Sequence, residues 1–323
     1  MLWKQAARVV LHNLGGLAVL RTRHRREFAV LMFHSFSQQD EGNVEAICKH
    51  IVRHFEPVSL SALLDAIKGQ KALPDNAITI TVDDGYRNFL LHGHPIFRRN
   101  RIPGTLYAVS GFSDGRLWLW TDQIQFGLRH TTRTSIRAQL ENCEPLELAL
   151  RTPEEKADAT FRLTQTLKQV SNDRRVTFLK DFGTLCGVDI PPNPPKGYEA
   201  MSWEELRAVA AEGMEIGCHT DTHPILSRVS SRLELEAEIH GAREHMKKHL
   251  RFDVRHFCYP NGRAIDIGEA AIRCVRDAGF DSAVSCISGL NTVETDPFQI
   301  RRVAFDSTID LRYGEELLAG LHL

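Results

Sequence analysis

The sequence of 323 residues lacks an excess of charge of either sign. Its formal net charge is -1 and its isoelectric point is near 6.9. A chain without a strong overall field does not attract nucleic acid or an anionic membrane through its net charge. We therefore expect a small molecule or a glycan as its partner, and no nucleic acid.

The sequence also has no closely spaced pair of cysteines. The chain has seven cysteines, an odd number, and no two of them form a Cys-x-x-Cys motif. A disulfide scaffold of the kind found in small secreted domains is therefore excluded. We expect a reducing compartment and a cytoplasmic location.

The amino-terminal region has no apolar run long enough to span a bilayer. The apolar stretch 14–20 is short, and the basic cluster 21–26 follows it instead of preceding it. This order, without an Ala-x-Ala site, argues against a secretory signal. We interpret residues 1–27 as a helical segment packed on the domain surface; the alternative is an amphipathic helix that lies on the inner membrane face.

From residue 28 onward, strand and helix patterns alternate. Seven short β-branched or apolar runs predict buried strands, at 28–33, 77–82, 104–109, 214–218, 255–259, 282–286 and 300–305. Strands that alternate with amphipathic helices imply a parallel sheet. We predict an α/β fold, a distorted (β/α)7-type barrel resembling a TIM barrel, over 28–323, with a mostly helical insertion at about 113–199 where the alternation stops.

Ligand-type side chains follow two of these predicted strands. Asp83 and Asp84 come directly after one, and His219 and His223 come directly after another. Parallel folds place their chemistry at the carboxyl ends of strands, so these four side chains should meet. One acid with two imidazoles can bind a divalent metal, and a second acid beside them can act as a base. Either motif alone is common in ordinary turns and helices, and only their joint placement favours a metal site.

The motifs resemble those of the polysaccharide deacetylases, the NodB-homology group of carbohydrate esterases. The matching segments are Thr81-Val-Asp-Asp-Gly85, His219-Thr-Asp-Thr-His223 and Tyr259-Pro-Asn-Gly262, in the order that the family has them. The resemblance covers roughly 28–112 and 200–306. It implies a metal-dependent hydrolase that removes acetyl groups from an N-acetylated sugar, in a polysaccharide or a glycan precursor.

The resemblance also gives the four motif residues their expected roles. Asp83 would be the general base. Asp84, His219 and His223 would bind a divalent metal ion, in this family usually zinc or a similar ion.

Further roles follow for the loop after the fifth strand and for an arginine near the last one. Tyr259, Pro260 and Asn261 are expected beside the substrate, with the Asn261 backbone N–H as a donor to the oxyanion. Arg302 is expected to hold the base in its ionised form, and Arg301 competes for that role.

The general acid is where the sequence departs from the family pattern. The family's histidine near the carboxyl end has only a poor counterpart here, His322, which follows a predicted helix. The first predicted strand instead ends in His34, as in a permuted subgroup of the family. Because the first and last strands of a barrel are neighbours, we predict His34 as the general acid.

Some alternatives stay open at this stage. Trp120, at the start of the insertion, is either a stacking surface for a sugar ring or a core anchor. The same site could hydrolyse a small non-sugar amide. A third interpretation is a non-catalytic glycan-binding relative, suggested by the missing carboxyl-terminal histidine and by Tyr259, which stands where many relatives have an arginine.

Overall fold

The computed structural model describes residues 11–12, 15–140 and 144–321, and a curled parallel sheet forms its centre. The described strands are β1 (Ala29–Phe33), β2 (Glu56–Pro57), β3 (Ala77–Val82), β4 (Gly104–Ala108), β5 (Ser135–Ala138), β6 (Leu146–Ala149), β7 (Glu215–Cys218), β8 (His256–Cys258), β9 (Ser282–Val284) and β10 (Val303–Ala304). The main sheet has the order β10-β1-β3-β4-β7-β8-β9, with β2 paired to β3. The predicted distorted (β/α)7 barrel is confirmed.

Helices pack against this sheet or form most of the insertion. They are α1 (Gly16–Arg23), α2 (Glu41–His54), α3 (Leu60–Ile67), α4 (His94–Arg99), α5 (Ser110–Ser113), α6 (Trp120–His130), α7 (Pro153–Leu167), α8 (Asn172–Cys186), α9 (Trp203–Ala211), α10 (Arg232–Glu236), α11 (Ala242–Leu250), α12 (Ala264–Ile267), α13 (Glu269–Asp277) and α14 (Leu311–Leu318). None of the helices within the described ranges is long and apolar enough to cross a membrane. Of the predicted segment 1–27, residues 1–10 and 13–14 lie outside the described residues.

The central strand β3 shows how the sheet is buried on both faces. Its isoleucines and its valine, Ile78, Ile80 and Val82, join the main apolar core with the helices. The threonines between them point the other way, and the Thr81 hydroxyl donates to Leu31 O at 2.7 Å. Side chains of a strand alternate between faces, so this sequence supplies an apolar face for the helices and a polar, hydrogen-bonded face inside the curl.

The last segment of the sheet brings its two edges together. Strand β10 pairs with β1, with Leu31 opposite Val303. Just before β10, Ile300 forms a parallel bridge with Val284 of β9, and Ile300 O accepts from the Ser285 N–H at 2.8 Å. The first and last strands are thus neighbours, and Arg302 lies between these two contacts.

The insertion has an apolar core of its own. Helices α6, α7 and α8 pack around Leu128, Leu163 and Phe182, and Ile225 from the main domain joins them. Strands β5 and β6 form an antiparallel hairpin that the sequence did not predict. Their four-residue runs have only two buried positions in β5, too few for an alternation signal.

Candidate metal centre and active site

Asp83 and Asp84 lie on a tight turn at the carboxyl end of β3. The Asp83 N–H donates to Phe33 O at 2.8 Å and so extends the pairing with β1 by one residue. Asp84 then has a left-handed φ of 72° and Gly85 a φ of 80°. A Cβ on residue 85 would lie 3.2 Å from Ala108 Cα, so glycine lets this turn pack against β4. A strained aspartate at a strand end is typical of functional sites.

His219 and His223 lie on a tight loop at the carboxyl end of β7. His223 has a φ of 57°, and its N–H donates to the Thr220 hydroxyl at 3.0 Å. The Glu238 carboxylate accepts from two further N–H groups of the loop, at 3.0 and 2.9 Å. The loop is therefore held from both sides, which fixes where the two imidazoles point.

Three buried side chains from these two segments converge on one point. Asp84 Oδ1 lies 3.5 Å from His219 Nε2 and 3.4 Å from His223 Nε2. Zinc bound tetrahedrally through bonds of about 2.0–2.1 Å would hold its ligand atoms roughly 3.3 Å apart. Asp84 Oδ1 is buried and has no hydrogen-bond partner among the described residues. The spacing and the unsatisfied oxygen both fit a divalent cation.

Both imidazoles present Nε2 to Asp84. His219 Nδ1 contacts the carbonyl oxygen of Cys258 at 2.7 Å. A carbonyl only accepts, so Nδ1 donates to it, and this hydrogen bond orients Nε2 toward the candidate metal position. Burial, partly offset by the charge of Asp84, lowers the pKa of His223 to about 3. His223 is therefore neutral at physiological pH and available as a ligand.

The second carboxylate, Asp83, is held by a buried arginine. Arg302 donates to Asp83 Oδ1 from Nη1 at 2.7 Å and to Oδ2 from Nη2 at 2.8 Å. Burial alone would raise the pKa of Asp83, but the charge and hydrogen bonds of Arg302 outweigh burial and hold the pKa well below its usual range. Arg301 is exposed and makes no such contact, so of the two arginines it is Arg302 that pairs with Asp83.

His34 lies at the mouth of the site, directly after β1. Its Nε2 atom is 3.8 Å from Asp83 Oδ2, and its side chain is 47% exposed. An imidazole that is close to the carboxylate and still open to solvent can reach a group on a bound substrate. Its role as general acid stays a prediction.

The loop after β8 contains a second strained position. Asn261 has a φ of 59°, and its Nδ2 is buried without a partner among the described residues. Pro260 O accepts from the Gly262 N–H at 2.7 Å, which closes a tight turn. The Asn261 N–H makes no backbone hydrogen bond within the described residues, and its role as an oxyanion donor stays a prediction.

Tyr259 does not fit its predicted place beside the substrate. The side chain is fully buried, it packs against Phe257, and its hydroxyl donates to Phe298 O at 3.0 Å. Its backbone N–H is bound to Val284 O. The prediction of a substrate contact by Tyr259 is wrong because its ring faces the core between sheet and helix.

A sequence profile of the family described as polysaccharide deacetylase matches residues 70–283. The chain belongs to the polysaccharide deacetylase family. The matched range includes both carboxylates, both histidines and the whole insertion, whereas His34 and Arg302 lie outside it. The family resemblance drawn from the three motifs is thereby confirmed.

One relative described below matches a short part of the sequence, and two solved structures match the fold. The poly-β-1,6-N-acetyl-D-glucosamine N-deacetylase of Escherichia coli strain K12 is 33% identical over 60 residues, 19% of this chain and 9% of that protein. Streptococcus pyogenes deacetylase PplD, solved in complex with acetate, has a TM-score of 0.59 at 11% identity and covers 92% of this chain and 99% of its own. IcaB from Ammonifex degensii has a TM-score of 0.57 at 15% identity and covers 91% and 97%. The last two likenesses show the deacetylase barrel.

Trp120, at the start of the insertion, is a core anchor. It is 5% exposed, and the guanidinium carbon of Arg175 lies 4.9 Å from its ring centre. The expectation that Trp120 stacks on a sugar is wrong, because Arg175 and the insertion core already cover the ring. The alternative interpretation from the sequence, a packing role, is the one that the structure supports.

A further acid beside the site was missed in the sequence. Asp122 accepts a hydrogen bond from the Tyr86 hydroxyl at 2.7 Å. Burial raises the pKa of Asp122 to about 7; the Tyr86 hydrogen bond lowers it, and the charge of Asp84 raises it further. Tyr86 is two positions after Asp84, and Asp122 is two positions after Trp120, but no sequence signal links the two segments. Only the packing of the insertion on the β3 turn brings them together.

Proposed function

We propose that this protein is a metal-dependent hydrolase that removes the acetyl group from an N-acetylated glycan and releases acetate. The observation that carries this proposal is the meeting of Asp84, His219 and His223 around one point, with Asp83 held ionised beside them. Family membership supports the reaction class. A site of this composition matches the chemistry of amide hydrolysis, which needs a cation, a base and an acid within reach of one carbonyl.

Asp84, His219 and His223 would hold the metal ion, for which zinc suits the ligand types best. When bound, such an ion lowers the pKa of water and polarises the carbonyl of the acetamide. The candidate grouping of these three residues is buried, so the charge of the ion would act in a region of low dielectric.

Asp83 is the proposed general base. A carboxylate has about four acceptor positions, so its two hydrogen bonds with Arg302 leave room for a water molecule. Arg302 is itself fully buried and bonded to Ser285 O at 2.7 Å, which fixes the orientation of the Asp83 carboxylate. Asp83 is thus a base that is ionised and aimed before the substrate binds.

His34 is the proposed general acid, and Asn261 the proposed oxyanion donor. His34 is the exposed imidazole next to Asp83, so it can donate a proton to the leaving amine. The Asn261 N–H would stabilise the negative charge on the former carbonyl oxygen. His34 follows β1, which is next to β3 in the sheet order, and Asn261 follows β8, three strands from β3 in the other direction.

The substrate class follows from the family and from the named relative, which acts on a polymer of N-acetylglucosamine. We propose an N-acetylated glycan or a glycan precursor for this chain as well. The proposed location is the cytoplasm, with the segment that precedes β1 as a candidate contact with the inner membrane face. Helix α1 ends in basic residues, which supports such a contact with anionic lipids.

Acetate release tests the proposal directly. The purified protein, loaded with zinc, should release acetate from N-acetylglucosamine tetramer and release much less from small amides such as acetanilide. Removal of the metal by a chelator should abolish release, and zinc should restore it. Equal turnover of the small amides would favour the amide-hydrolase alternative, and glycan binding without any turnover would favour the non-catalytic one.

A further inference from the structure

Two arginines of the described chain are almost fully buried, and their surroundings differ sharply. Arg302 donates to both oxygens of Asp83. Arg175, on α8 of the insertion, is 2% exposed and forms no ion pair with any described carboxylate. The negative charge of Glu238 partly offsets the burial of Arg175, but the two side chains form no ion pair. Burying a cation without a direct ion pair is unfavourable, so stability alone does not account for an arginine at this depth.

The immediate partners of Arg175 are neutral. One guanidinium nitrogen donates to the Asn172 side-chain oxygen, and the guanidinium plane lies over the Trp120 ring. The other terminal nitrogen, Nη1, is buried and has no partner among the described residues. Arg175 also lies in the first turns of α8, where the helix dipole disfavours a positive charge.

Arg175 lies on the side of the insertion that faces the metal loop. Trp120, beneath its guanidinium, shares the insertion core with Ile225, which is two residues beyond His223. Glu238, whose carboxylate accepts from two N–H groups of the metal loop, also acts on the Arg175 guanidinium through its charge. A buried cation with an unsatisfied N–H therefore lies in the part of the insertion that packs near the metal loop.

We propose that Arg175 is a substrate-binding residue that the insertion adds to this site, and that it takes an anionic group, a carboxylate or a phosphate, carried by the N-acetylated glycan. This inference rests on the proposed deacetylase function and adds a preference for negatively charged glycans. The planar guanidinium suits both anions, because it can donate two parallel hydrogen bonds. The side chain has several rotatable bonds, so its head can turn from Asn172 to the ligand while Trp120 stays beneath it.

Matched glycans test the preference. The probes are N-acetylglucosamine tetramer, the same tetramer oxidised to a carboxylate at C6, and the tetramer phosphorylated at C6. We expect KM to be about tenfold lower or more for at least one charged tetramer than for the neutral one, as charge-assisted hydrogen bonds predict. Arg175→Gln should remove this ratio by raising the KM for the charged tetramer to that for the neutral one. Arg162→Gln, an exposed change in the same insertion, should leave the ratio intact.

Binding to metal-free protein separates this inference from the proposed reaction. Calorimetry on the three tetramers needs no turnover, and the same ratio of affinities should be present in the parent and lost in Arg175→Gln. Acetate release without any charge preference overturns the inference and leaves the proposed function standing. A charge preference that depends on Arg175, with no acetate released, supports the inference about Arg175 and overturns the proposed function.

A stability measurement distinguishes substrate binding from a structural role. Because the cation is buried and forms no ion pair, Arg175→Met should have a melting temperature equal to or above that of the parent while it loses the charge preference. A clear fall in melting temperature, with equal loss of affinity for charged and neutral tetramers, would show that Arg175 only supports the fold.

Discussion

Arg302 donates hydrogen bonds to both carboxylate oxygens of Asp83, at 2.7 and 2.8 Å, although the two residues are 219 positions apart in the sequence. The same guanidinium donates to Thr81 Oγ1 and Ser285 O, so it ties β3 to the closing segment of the barrel. One side chain thus both completes the fold and sets the charge state of the proposed base. A buried ion pair of this kind is costly to break on one side only.

Replacing Arg302 should damage stability and activity together. Arg302→Gln leaves Asp83 buried without its counter-ion, so we expect a loss of about 3–5 kcal/mol in the free energy of unfolding at pH 7, measured with urea. Arg301→Gln, an exposed change at the neighbouring position, should cost less than about 0.5 kcal/mol. Equal effects of the two changes would contradict the assignment of Arg302.

The loss of unfolding free energy in Arg302→Gln should depend on pH in a definite direction. The folded-state pKa of Asp83 is lowered, so its contribution to stability is present above the unfolded pKa of about 3.9 and is lost as pH falls toward the lower folded value. The gap between parent and Arg302→Gln should therefore shrink below about pH 4. In the variant, burial raises the pKa of Asp83, and the acidic limb of the activity profile should move to higher pH.

Loss of a metal ligand should remove metal and activity at once. Asp84→Ala and His219→Ala should each bind less than about a tenth of the zinc of the parent and release no acetate, as measured by elemental analysis and acetate assay. Zinc retained at one equivalent by Asp84→Ala, with activity, would refute the site.

His245→Ala is the matched control for the metal ligands. His245, His249 and Asp114 form a second grouping with ligand-type atoms close together. There the Asp114 carboxylate already accepts from Arg116 at 2.8 Å and from Trp203 at 2.7 Å, so a cation would meet an occupied and neutralised carboxylate. Zinc content and activity should not change in His245→Ala.

His34→Gln should slow catalysis without loss of metal. Removing a general acid costs about 10²–10⁴ in kcat, whereas an activated aryl acetate, whose leaving group needs no proton, should be hydrolysed at nearly the parent rate. His92→Gln, which breaks only the contact of His92 with Glu41, is the control. A uniform loss on both substrates would assign His34 a role other than proton donation.

The strand that leads to His219 should tolerate no side chain at Gly217. A Cβ there would lie 2.3 Å from the Tyr107 ring and 3.1 Å from His256 O. Gly217→Ala should therefore lower the free energy of unfolding by about 1–3 kcal/mol and weaken zinc binding through displacement of β7. Gly42→Ala, in α2 with no atom within 4 Å of the added Cβ, should stabilise by about 0.5–1 kcal/mol. Thermal unfolding measures both.

Local sequence patterns were sufficient to predict the strands and the functional residues that follow them. The run 77–82 reads as a buried strand because its β-branched residues fill both faces, and the structure has β3 at Ala77–Val82. Parallel strands end at one edge of a sheet, so the meeting of the Asp84 and His219 segments follows from topology alone. By contrast, the family motif placed Tyr259 beside the substrate and the sequence left the role of Trp120 open, whereas packing buries both side chains.

The sequence by itself determined the family, the alternation of strands and helices, and the two segments that supply acids and imidazoles, since all of these are written in short-range spacing. Only the tertiary structure decided that Arg302 and not Arg301 meets Asp83, that Asp122 lies beside Tyr86, and that Arg175 is buried with an unsatisfied N–H. Those relationships depend on how the sheet curls and how the insertion packs on it. Contacts between segments tens to hundreds of residues apart leave no periodic signal in the chain.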